Sequence, residues 1–188
     1  MSLPRSSYDP RRVCLISLPR ITLGPKKREF GVYASGALFA IGWWFFLDAC
    51  VQSSHSHPPP DAPYDSVPVH VRFEDWLPGL LATLGMIIVN LIDKQRLDSD
   101  DEGGMLGGVA WKARLFLFIG FAMMAAGLAG SIAFLVIKYI IPDYSAEYGF
   151  TTYWGIANVV QNVCIMLSAS ILWVAQNADS EYEYNLAL

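Results

Sequence analysis

The stretch VYASGALFAIGWWFFLDACV, Val32–Val51, holds one formally charged side chain, Asp48, in twenty residues. An α-helix needs about 20 predominantly apolar residues to cross roughly 30 Å of hydrocarbon, so this segment reads as a transmembrane helix. Three further runs follow: Trp76–Ile92, a little short; Leu115–Ile141, long enough to tilt or protrude; and Gly155–Ala175. The expected fold is an all-α membrane protein, a four-transmembrane-helix bundle with both termini in the cytosol. Its domains are a basic, Pro-rich tail (1–30), a membrane domain (31–177) with spans at about 32–51, 76–92, 115–141 and 155–175, and an acidic tail (178–188). No cleavable leader is visible ahead of the first span, which is expected to act as signal and anchor together.

Composition agrees. Of 188 residues, 54% are hydrophobic and 16% charged, and the mean hydropathy is +0.36. Little chain remains for a soluble domain, which removes most soluble-enzyme readings. The net charge of −4 hides an asymmetry in the cations. Arg5, Arg11, Arg12, Arg20, Lys26, Lys27 and Arg28 precede the first span, and Lys94, Arg96, Lys112 and Arg114 lie between spans two and three. Only Arg72 and Lys138 fall on the opposite side. The positive-inside rule therefore places both termini in the cytosol.

The connecting segments carry weak signals. Val13–Leu23 (VCLISLPRITL) is apolar for a tail; with Lys26, Lys27 and Arg28 it is a candidate for contact with an anionic lipid surface, beside plain positive-inside flanking. Cys14, Cys50 and Cys164 have no plausible partner on the same side and read as free thiols; Cys14 is a remote candidate for palmitoylation. In the loop Gln52–Asp75, His55 and His57 lack a third metal ligand at fixed spacing, and Val67–Phe73 alternates as a short strand does. Asp93–Trp111 reads as a flexible linker without the Lys and Ser/Thr of a phosphate-binding loop. Trp76, Trp111, Trp154 and Trp173 sit near span ends, as an interfacial aromatic belt does. In the C-terminal tail, Tyr182, Tyr184, Leu186 and Leu188 form an every-second-residue set suited to extended recognition.

Polar groups inside the bilayer form the functional shortlist. Asp48 lies toward the outer end of span one. Span four carries Asn158 and Asn162 on one face, with Gln161 and Ser168 beside it. Asn90 in span two is a candidate hydrogen-bond partner for these amides. Small residues in span three (Ala122, Ala126, Gly127, Gly130, Ser131) and span one (Gly31 with Ser35, Gly36 with Ala40) suit close helix approach. Asp48, Asn90, Gly127, Gly130, Asn158, Gln161, Asn162 and Ser168 are thus candidate helix-packing or partner contacts. No catalytic motif, cofactor site, metal site or nucleic-acid partner is expected. A small transporter or lipid-handling protein using Asp48 and the span-four amides is the alternative from another class.

GVYASGALFAIGWWFFLDA (Gly31–Ala49), WKARLFLFIGFAMMAAGLAGS (Trp111–Ser131) and QNVCIMLSASILWVAQN (Gln161–Asn177) resemble the transmembrane protein 50 family. The N-terminal extension and the tail EYEYNLAL (Glu181–Leu188) are similar to its fungal branch. That resemblance implies no catalytic residues. It implies a role in traffic from late endosome to vacuole and residence in endosomal and vacuolar membranes. It also implies a complex with a second four-span membrane protein resembling vacuolar protein sorting-associated protein 55, of the leptin-receptor-overlapping-transcript family.

Overall fold

A computed structural model describes residues 25–57, 67–92, 109–142 and 149–186, with side chains described within 28–57, 67–92, 111–142 and 149–176. Four helices account for nearly all of it: α1 (Pro25–Ser54), α2 (Trp76–Leu91), α3 (Val109–Phe134) and α4 (Thr151–Leu186). A 3-10 turn, Phe73–Asp75, leads into α2, and a π-helical segment, Leu135–Ile140, continues α3. Among the described residues there is no strand. Three helices are long and apolar enough to cross a membrane, over Arg28–Ser54, Trp111–Ile140 and Thr151–Gln176. The second helix, at 16 residues, is shorter.

Local chemistry sets the helix ends. Pro25 opens α1, where its missing N–H costs nothing. At the far end, the last carbonyls of α1 are met in turn: Ser54 Oγ and the His55 amide donate to Val51 O, and Ser56 Oγ donates to Ser53 O. Pro78 is tolerated in α2 because it falls in the first turn. The wider turn after α3 is marked by Ile141 N donating to Val136 O, five residues back.

The largest interface joins α1 to α4, and the next joins α2 to α3; α4 also packs on α2 and α3. At the α2–α3 crossing a Cβ on Gly85 would stand 2.6 Å from the Gly120 carbonyl oxygen, and one on Gly120 would stand 3.1 Å from the Gly85 oxygen. Two backbones this close permit Cα–H···O contacts of about 0.5–1 kcal/mol each. Small residues therefore work here as expected, but on a different register of α3. Gly120, Met124, Gly127 and Ser131 are buried, whereas Ala122 and Ala126 are exposed and Gly130 is half-buried. Likewise Ser35 is buried while Gly36 has nothing within 4 Å of a Cβ.

The molecule is apolar outside and partly polar inside. Leu77, Leu84, Ile87, Phe116, Phe118, Phe121 and Ile137 are exposed, while Ser131, Thr151, Asn158, Gln161, Asn162 and Ser168 are at most 2% exposed. In water this distribution would be costly; in hydrocarbon, polar groups are sheltered between helices and apolar ones meet lipid.

The structure revises several sequence expectations. Val67–Phe73 does not pair as a strand. Its alternation survives as burial, with Val67 and Val69 inward and Pro68 and His70 outward, because the segment lies across Ala49, Tyr139, Trp154 and Ala157. Trp154 is 1% exposed in that core rather than part of a surface belt, and Trp76 packs its ring on Trp43 and Phe46. Helix α4 continues through Leu186, which places position 184 about 200° around the axis from positions 182 and 186, so the every-second-residue set does not share one face. The first helix starts at Pro25, inside the stretch read as a tail. Cys14, Val13–Leu23, the bulk of the Asp93–Trp111 linker and Leu188 lie outside the described residues. Cys50 and Cys164 are free thiols.

Candidate functional site

Asp75 is the point at which three helices and a loop meet. It closes the 3-10 turn, is 2% exposed, and accepts hydrogen bonds on two of its three oxygens. Its Oδ2 accepts from the Arg72 amide at 2.8 Å and from Lys138 Nζ at 2.5 Å. Its backbone carbonyl accepts from Asn158 Nδ2 at 2.8 Å. The end of the loop, the π segment after α3 and the first turns of α4 are thereby fastened to the start of α2. A bond of this kind to an ionised group is shorter and stronger than a neutral one. The remaining oxygen, Asp75 Oδ1, is buried with no partner among the described residues.

The end of α1 joins the same cluster. Ser53 Oγ accepts from the Val71 amide at 2.8 Å, Ser53 O lies 3.1 Å from His70 Nδ1, and the His70 ring stacks on Trp154. Asp48 is exposed one helix face away. Its Oδ2 accepts from Tyr153 Oη of α4 at 2.8 Å and from Gln52 Nε2 at 3.4 Å. All four helices thus have one end in this polar lock.

A second polar group lies deeper along α4. Asn162 Nδ2 donates to Asn158 O at 2.9 Å and to Asn158 Oδ1 at 3.2 Å. Asn162 Oδ1 stands 3.0 Å from where a Cβ on Gly127 would be, and the Gln161 amide stands 2.6 Å from a Cβ on Gly79. Glycine on α2 and α3 makes the room these amides occupy. Neither amide atom of Gln161 has a hydrogen-bond partner among the described residues. About two turns further along, Ser168 Oγ donates to Ser35 O of α1 at 2.8 Å. Gly130 approaches Pro78 only at ordinary contact distance, 3.7 Å.

Asn90 does not join the α4 amides. Its Nδ2 donates to Met86 O within α2, and its Oδ1 is buried without a partner among the described residues. The acceptor for Asn158 is instead a backbone carbonyl, which no side-chain inventory reveals. Lys26 and Lys27 fall in the first turn of α1, followed by exposed Arg28. Asp75 and Lys138 were absent from the sequence shortlist. Lys138 could have been found, because it is the one cation inside the apolar run Leu115–Ile141, and an ionisable group there calls for a partner.

Exposed apolar flanks, three helices of membrane-spanning length and an interior cross-linked by polar side chains define an integral membrane protein. Residues 11–182 match the family model described as "Uncharacterised protein family (UPF0220)", and the chain belongs to that family. It is 46% identical to "Vacuolar protein sorting-associated protein 68" of Saccharomyces cerevisiae, over 86% of this chain and 88% of that one. A UPF0220 protein of Schizosaccharomyces pombe is 38% identical over 89% of this chain and 92% of its own. The "Transmembrane protein 50 homolog" of Dictyostelium discoideum is 30% identical over 80% and 91% respectively. None of these names is that of an enzyme. No solved structure matches the chain.

Proposed function

We propose that this protein is a non-enzymatic membrane subunit of an endosomal sorting complex, acting in protein transport from late endosome to vacuole. The observation that carries this reading is the 46% identity, nearly end to end, to a protein named for vacuolar protein sorting. It resides in endosomal and vacuolar membranes, reached through the endoplasmic reticulum, and pairs with a second four-span protein resembling vacuolar protein sorting-associated protein 55. The site supports an assembly role. Lys138, Tyr153, Asn158 and Ser168 each bond to a group on another element, and close packing of Gln161 on Gly79 and Asn162 on Gly127 favours rigid contact over a polar path for solute.

In this reading α2 is a fourth crossing. Its 16 residues span about 24 Å and the 3-10 turn adds about 6 Å, together close to the hydrocarbon thickness of about 30 Å. Connectivity supports it. Lys138 near the end of α3 meets Asp75 at the start of α2, so α3 can cross only if α2 has first carried the chain to the opposite side. The basic bias then puts both termini in the cytosol.

The test is replacement of the Saccharomyces cerevisiae relative by this chain. Restored delivery of soluble vacuolar hydrolases is expected. Correct insertion at normal abundance with hydrolases still secreted would refute the sorting role.

A further inference from the structure

Asp48 is a charge inside a span with no opposite charge beside it. Among the described residues of the three long spans, Arg28, Glu29, Lys112 and Arg114 lie in the first turn, and Lys138 lies in the last, where Asp75 holds it. Asp48 is set further in, about 9 Å before the end of α1 at 1.5 Å per residue. It is exposed. Its two bonds come from neutral donors, Tyr153 Oη and Gln52 Nε2, and both fall on Oδ2. Oδ1 accepts no bond among the described residues. The tie to Tyr153 fixes the carboxylate without matching its charge.

This chain does not supply the missing cation. The connections on this side, 52–75 and 138–150, hold two Lys or Arg residues, Arg72 and Lys138. Lys138 is taken by Asp75, and Arg72, exposed in the loop, pairs with no acid among the described residues. The stretches 58–66 and 143–148 contain no Lys or Arg, but add Asp61, Asp65, Asp143 and Glu147. Spans turn ionisable groups toward protein and pair them, so the counter-charge for Asp48 comes from outside the chain.

The face around Asp48 has the form of a helix seat. Helix α1 is the least covered of the three long spans and packs chiefly on α4. Ala37, Ile41, Trp44, Asp48 and Val51 recur at alternating steps of four and three, and all are exposed. They keep within about 80° of arc, which is the seam spacing of left-handed helix pairs. A second copy of this chain does not fit. Two parallel copies related by a two-fold axis set Asp48 against Asp48, and like charges across an interface are costly.

We infer that this face seats a transmembrane helix of a different protein, one that carries a Lys or Arg level with Asp48 and donates to Oδ1. The inference rests on the assembly role proposed above and gives that role a face and a partner chemistry.

The experiment places a photo-crosslinking amino acid at Ile41 or Val51, and at exposed Phe118 of α3 for comparison, in the full chain expressed at native level. Adducts are formed in intact membranes and mapped by mass spectrometry. Ile41 and Val51 should both label one membrane-spanning segment of another protein, with a Lys or Arg within two turns of the Val51 adduct, whereas Phe118 should label lipid. Asp48→Leu should lower the protein adduct by at least about tenfold, the size that loss of one charge-assisted hydrogen bond gives. Tyr153→Phe removes the bond within the chain but keeps the carboxylate, and should retain the adduct. Asp48→Lys should abolish it, and exchange of the partner's mapped cation for Asp in the same cells should restore it. Adducts to lipid alone, to a second copy of this chain, or to a segment without Lys or Arg would overturn the inference. So would an undiminished adduct in Asp48→Leu, or an equal loss in Tyr153→Phe. Hydrolase delivery is a separate readout: delivery intact with the adduct absent would refute this interface alone, and the adduct present with hydrolases secreted would uphold the interface and refute only the sorting role.

Discussion

Lys138 Nζ sits 2.5 Å from Asp75 Oδ2, sixty-three residues away in sequence. The lysine is 18% exposed and the aspartate 2%. The π turn is what brings the cation round: it offsets Lys138 from the register α3 would otherwise keep, a common use of π segments at functional sites. Tyr139 beside it is buried against Gly155, whose missing side chain leaves space for the ring.

Breaking a buried pair by removing one partner costs about 3–5 kcal/mol, since the other charge stays buried and alone. Lys138→Met is therefore expected to lower thermal stability in detergent sharply. In Asp75→Asn/Lys138→Met the loss should be smaller than the sum of the single losses, with coupling of about 0.5–3 kcal/mol. Thermal denaturation of the four proteins in one detergent reads this directly. Additive losses would show that the two residues act independently.

Three glycines should rank in a fixed order. Gly85→Ala drives a methyl toward the Gly120 carbonyl, a backbone atom that moves only if α2 and α3 separate. Gly79→Ala meets the end of the Gln161 side chain, which can rotate, and Gly36→Ala meets nothing. The expected yield of folded, monodisperse protein is lowest for Gly85→Ala and unchanged for Gly36→Ala, the latter helped by a helix propensity gain of up to about 1 kcal/mol. A damaging Gly36→Ala would mean that this face of α1 is covered by another chain.

The amides of α4 should separate by their bonds. Asn158→Leu leaves the Asp75 carbonyl without its donor and Asn162 with only the backbone carbonyl of residue 158 as acceptor. A loss of about 0.6 kcal/mol per bond, the average in bilayer proteins, is expected. Gln161→Leu removes an amide with no bond to lose among the described residues and should be neutral or stabilising. Both variants should insert normally. Equal destabilisation by the two substitutions would show that Gln161 has a partner of its own.

Topology has two separable parts. Gly31 abuts Ala175, so the start of α1 and the later turns of α4 share one side whatever the orientation. The basic residues assign that side to the cytosol. Protease digestion of sealed vesicles carrying tags at both termini should remove both tags. Protection of both would reverse the orientation alone, whereas protection of one would break the α1–α4 pairing itself.

Much of this fold is legible in the sequence because hydrocarbon imposes a simple length rule, which marks α1, α3 and α4 by apolar runs alone. The interior is less so. That Asn158 and Asn162 turn inward follows from the cost of an amide in lipid, but the Asp75 carbonyl that Asn158 meets is a backbone atom and leaves no mark in composition. Asp75 looked like the last residue of a polar loop, and its burial depends on Val67–Arg72 folding across the helix ends. Residues 179–186 alternate like a strand, yet helix propagation from α4 carries them on, since each added residue gains a bond without a new nucleus.

The most direct measurement is recovery of the full chain, expressed at native level, from endosomal membranes in mild detergent, with quantitative identification of what elutes in the same peak. A small four-span membrane protein at fixed stoichiometry is expected, retained by the wild type and depleted in the Asn158→Leu/Asn162→Leu variant that still inserts. A monodisperse chain eluting alone at its own mass, from cells whose vacuolar delivery depends on it, would contradict the assembly role.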